Sequence, residues 1–83
     1  MDWQNVRDDG REEAAAYRSL AAGARTAARD CTDEARSAVD ADEGAVWLMR
    51  AVLQRSAAAS DDALAEINDR IADHAQQVLS ALP

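Results

Sequence analysis

Apolar positions recur every seven residues through the first half of the chain. Ala14, Ala21, Ala28 and Ala35 form one series, and Tyr17, Ala24, Cys31 and Ala38 form a second, offset by three. These are the a and d positions of four heptads, the pattern of a helix that packs lengthwise on another. Asp9-Gly10-Arg11-Glu12 has the form of a capping box, so the pattern predicts a first helix from about Asp9 to about Val39. Run backwards, the frame puts Trp3 on the d line, with Gly10 expected as a break between them. Leu20 and Ala27 widen the seam on one flank, while Arg11, Arg18 and Arg25 edge the other. A seam made almost wholly of alanine lets a partner helix come close, and large residues are expected opposite it.

The second half carries such residues. Asp40-Ala41-Asp42-Glu43 repeats the acid-x-x-Glu box and is followed by Gly44, which places a turn near residues 39–44. Val46, Met49, Leu53, Ala57, Leu64, Ile67, Ile71, Ala75, Val78 and Leu82 then follow on one helical stripe. Ser60-Asp61-Asp62 reads as an N-cap with acids in the first turn, so a break is expected near residues 56–60. The expected fold is therefore all-α: a single domain over residues 1–83, with helices at about 9–39, 44–56 and 61–82. A long two-helix hairpin is the alternative. No window alternates with the period of a strand.

Composition sharpens this picture. Of the 40 apolar residues in 83, 21 are alanine and only 18 are Val, Ile, Leu, Met, Trp or Tyr. At about 0.8 kcal/mol per buried methylene, that is a thin core for a monomer. A first helix of about 30 residues would be roughly 45 Å long, whereas a compact chain of this size has a radius of gyration of about 12 Å. Both facts predict completion by dimerisation, with the Ala face of the first helix receiving Leu53, Leu64, Ile67, Ile71 and Val78. The interface candidates are Trp47, Trp3, Tyr17, Leu20, Ala24 and Cys31.

The net charge of −7, with every basic residue an arginine, argues against nucleic acid and against anionic membrane surfaces as partners. Acidic and basic residues are interspersed, as in the i, i+4 pairs Glu66–Arg70 and Arg29–Asp33, which is the pattern of a solvated helical face. Cys31 has no second cysteine to pair with and reads as a small buried hydrophobe. His74 has Arg70, Ile71, Gln77 and Val78 as its helical neighbours and reads as a half-buried residue edging the core stripe. Trp47 points away from Val46, Met49 and Leu53. It is either an interface anchor or a residue packed on the first helix.

Glycine phosphate loops, zinc spacings, nucleophile elbows and aromatic nucleic-acid platforms are missing from the sequence. No catalytic residue, metal ligand, cofactor or small-molecule ligand is expected. The expectation is a non-enzymatic interaction or regulatory protein that self-associates as a homodimer. The alternative partner is a different protein, with the chain acting as an antitoxin, adaptor or phage-type inhibitor. The Ala-rich helical hairpin also resembles the small substrates of type VII secretion, which implies export as a further role. The Trp-x-Gly turn of that family is not matched: the order here is Gly44-Ala45-Val46-Trp47, and no tyrosine lies near the C-terminus. Met1-Asp2-Trp3-Gln4-Asn5 lacks the basic and apolar regions of a signal peptide, so the expected location is cytoplasmic, with leaderless export as the alternative.

Overall fold

Asp2, rather than Asp9, starts the first helix. Its extended backbone and carboxylate cap the N-terminus, accepting from the Asn5 N–H at 3.2 Å. In the computed structural model, which describes residues 1–83, α1 runs Trp3–Arg36 and α2 runs Ala41–Ala81. Arg36 lies in the last turn of α1, where its charge complements the helix dipole. The reversal over residues 37–40 is fixed by the expected capping box. The Asp40 carboxylate accepts from the Glu43 N–H at 2.8 Å, and Glu43 Oε2 accepts from the Val39 N–H at 3.3 Å.

The chain thus adopts the two-helix hairpin rather than three helices. α2 continues for 41 residues without interruption. No Gly or Pro lies between Ala45 and Leu82, and high-propensity Ala, Leu, Arg and Gln dominate the interior. Ser60-Asp61-Asp62 does not act as a cap, because Asp62 pairs across the hairpin with Arg25 and Asp61 lies half-buried on the inner face. The molecule measures 67 × 15 × 12 Å, with a radius of gyration of 18.7 Å. No helix is long and apolar enough to cross a membrane.

The core inverts one expectation. The Ala face of α1 meets the small residues of α2, not its large ones. Nine residues are buried: Gly10, Ala14, Ala21 and Ala28 from α1, and Ala51, Ala58, Ala65, Ala72 and Ala75 from α2. Ala51, Ala58, Ala65 and Ala72 form a seven-residue series that continues the line of Gly44 and mirrors the series in α1. Two alanine faces allow the backbones to come together closely, and that approach turns the bulky side chains of α2 outward. Leu53 is 69% exposed, Ile67 52% and Ile71 46%.

Gly10 measures the closeness of the approach. A Cβ at this position would lie 2.9 Å from the Asn68 carbonyl oxygen and 3.1 Å from the Ala72 Cβ. Gly10 is therefore not a break but the point of closest contact near the open end of the hairpin. In a free helix, Gly→Ala would gain about 1 kcal/mol. Here Gly10→Ala is expected to lower stability by about 1 to 3 kcal/mol, because a backbone must move to admit the methyl group. A fall in melting temperature, where propensity alone demands a rise, checks this.

Candidate interaction face

The seam has two unlike sides. One is polar, and its register is set by arginine. Arg18 pairs with Asp69 and Arg25 with Asp62. Arg55 donates to the Thr32 hydroxyl at 3.1 Å, and Arg7 to the Gln76 amide oxygen at 3.0 Å. The Arg18 guanidinium is held above its ordinary pKa, first by its hydrogen bond to Asp69 and then by the charges of Asp69 and Asp62. These pairs are solvated, so they fix the alignment of the helices more than they stabilise it. Of the two i, i+4 pairs expected from the sequence, Arg70–Glu66 forms at 2.6 Å. Arg29 instead turns back to Thr26, and Asp33 pairs with Arg36.

The other side is apolar and has nothing packed on it. On α1, Val6, Leu20 and Ala27 share one heptad line, with Ala16 and Gly23 on the line beside it. On α2, Ala57, Leu64, Ile71 and Val78 share one line, and Val46, Leu53 and Ile67 share the next. Two grooves run between the helices on this side. The central one is lined by Ala16, Leu20, Gly23 and Ala24 against Gln54, Ala57 and Asp61. The second, towards the open end, is lined by Trp3 and Val6 against Ile67, Arg70, Ile71 and His74. Gly23 deepens the central groove, since no atom lies within 4 Å of the place its Cβ would occupy.

The borders of this side carry opposite charges. The α1 lines that carry Leu20 and Gly23 also carry Glu13 and Glu34, and Asp9 and Asp30, with no basic residue. The α2 lines carry Arg50 and His74, with Arg70 at the groove edge and one acid, Glu43, which is engaged at the cap of α2 with the Val39 N–H. All eight are exposed.

The interface candidates read from the sequence fall into two groups. Leu20 and Ala24 line the central groove, and Trp3 lines the second, set edge-to-face against His74 with ring centroids 5.8 Å apart. Tyr17 and Cys31 are half-buried on the seam's d line. His74 is exposed rather than half-buried, because the large stripe it accompanies faces outward. Cys31 is half-buried rather than fully enclosed, since it sits at the edge of the alanine contact.

Trp47 follows Gly44 and precedes Ala51 on the inner face of α2, half-buried, with the Arg50 guanidinium 4.7 Å above its ring. This placement is that of a seam residue. Trp47→Ala is expected to lower the melting temperature of the hairpin more than any capacity of the chain to associate. Sedimentation of the variant beside a thermal melt separates the two effects.

The heptad pattern sends Leu53, Leu64, Ile67, Ile71 and Val78 to the core; the structure exposes the first four and leaves Val78 half-buried. The signal that marks them is the second alanine series. No group of three or more His, Cys, Asp or Glu residues is placed to hold a metal ion. No protein-family model matches the chain, and neither the curated proteins nor the solved structures give a match.

Proposed function

We propose that the protein is a self-associating helical interaction module, non-enzymatic, whose apolar side is covered by a second copy of the chain to make a four-helix coiled-coil bundle. One observation carries the reading: the buried core holds no side chain larger than alanine, while most of the large aliphatic residues of α2 stand in solvent. Each buried methyl is worth about 0.8 kcal/mol, so the hairpin alone gains little from burial. The leucines and isoleucines hold the larger reserve, and only a partner can use it.

The surface area supports this. The chain exposes 5760 Å², whereas a compact monomer of its mass would expose roughly 4,800 Å². The excess is close to the roughly 800 Å² that each partner contributes to a standard interface. Light scattering at micromolar concentration tests the reading: a mass twice the 8.9 kDa of the chain is expected, and a monomer at all concentrations counts against it.

A different protein as partner is the second reading, favoured by the turn end. There Val39, Leu48, Met49 and Val52 are exposed at 50% or more, and Leu48, Met49 and Val52 lie on helical lines outside the apolar side described above. An adaptor, antitoxin or inhibitor role would place its partner at that end. Val52→Asp abolishing partner capture while the dimer persists would support it.

A further inference from the structure

We propose that the two copies pair with their turns at the same end, α1 of each hairpin lying over α2 of the other. This arrangement rests on the self-association reading and follows from the charged borders of the apolar side.

Two hairpins can face each other about a two-fold axis in only two ways. If the axis runs along the hairpin, every residue keeps its level, and α1 faces the partner's α2. If the axis crosses the hairpin, levels reverse about the midpoint, so that α1 faces the partner's α1 and α2 the partner's α2. The internal register fixes which charges then meet. Ala72 lies level with Gly10, and Gly44 level with Ala38. Arg70 is two residues from Ala72, which sets it between the levels of Asp9 and Glu13. Arg50 is six residues from Gly44, which sets it between the levels of Asp30 and Glu34.

With the axis along the hairpin, Arg70 therefore meets the partner's Asp9 and Glu13, and Arg50 meets the partner's Asp30 and Glu34, each twice by symmetry. With the crossing axis, Asp9 and Glu13 meet the partner's Glu34 and Asp30, while Arg50 meets the partner's Arg70. One arrangement sets both arginines against acids, and the other sets acid against acid on one edge and arginine against arginine on the other. Like charges set together across an interface select against a pairing even where apolar contact is equal. Both arginines retain donors for these contacts: Arg50 presents the face of its guanidinium to Trp47, and Arg70 engages Glu66 through one nitrogen.

The test places one nitroxide on Ser37→Cys, at the exposed turn, in a Cys31→Ser background, with dipolar distances measured on the dimer. Turns at the same end put the labels within roughly 25 Å, given helix spacings of 8 to 10 Å. Turns at opposite ends put them on the order of 50 Å apart, at 1.5 Å of rise per residue. The long distance overturns the arrangement and leaves self-association standing, whereas a monomeric mass for the labelled protein and the wild type overturns both. In a second measurement, Arg50→Glu with Arg70→Glu is expected to weaken the dimer about tenfold or more. Adding Glu13→Arg and Glu34→Arg is expected to restore it. Affinity that is indifferent to all four changes contradicts the proposal.

Discussion

Ala21→Leu is expected to destabilise the hairpin by about 3 kcal/mol, the upper end of the range for overpacking a filled site. For a chain of this size that is a fall of roughly 10 to 20 °C in melting temperature. Ala21 is wholly inaccessible at the middle of the seam, where two backbones approach to alanine-contact distance. Three added carbons cannot turn aside into solvent, so the helices must part or slide. The companion change is Leu53→Ala. In a conventional core it would cost 2 to 5 kcal/mol. Here Leu53 is 69% exposed in the single hairpin, and its loss is expected to change the stability of the dilute, dissociated chain by no more than about 0.5 kcal/mol. Enlarging an alanine thus costs more than deleting a leucine. The opposite ranking would show that the leucine stripe, not the alanine seam, is the core.

Leu64→Glu is expected to dissociate the dimer, lowering affinity by about a hundredfold or more, the effect of removing a central hot-spot residue and setting a charge in its place. Leu64 lies near the middle of the apolar side and is 39% exposed. Glutamate is a good helix former, so the hairpin keeps its helicity and seam. Ala59→Glu adds the same charge on the side of α2 turned away from the grooves and is expected to leave association intact. Sedimentation velocity on the two variants reads the contrast. Equal weakening would mean that the added negative charge acts through net repulsion rather than through the face.

Much of this architecture is legible in the residues. The heptad lines through Ala14 and Tyr17 lie on the inner face of α1, and the Asp40–Glu43 box caps α2 as read. The error over the direction of α2 has a definite cause. Large apolar residues dominate any periodicity, and the usual rule sends the largest inside. That rule fails where two small faces can meet, because a close backbone contact excludes the bulk that would otherwise be buried. Gly44, Ala51, Ala58, Ala65 and Ala72 carry this information at the same spacing as the series in α1.

The two misplaced helix boundaries share one origin. Gly10 and the acids at 61–62 resemble punctuation when taken locally. Each is instead explained by the opposite helix: Gly10 by the Asn68 carbonyl and Asp62 by Arg25. Cross-hairpin contacts of this kind cannot be read from a residue's neighbours in sequence. The charged lines are visible in the sequence, but which charges lie level with one another depends on the register of α1 against α2.

Small-angle X-ray scattering over a concentration series measures the mass, length and cross-section of the particle together. The account predicts a mass twice that of one chain, a longest dimension still close to 67 Å, and a cross-section enlarged by a second hairpin laid alongside the first. A particle of single-chain mass up to millimolar concentration, melting cooperatively with its leucines in water, would contradict it.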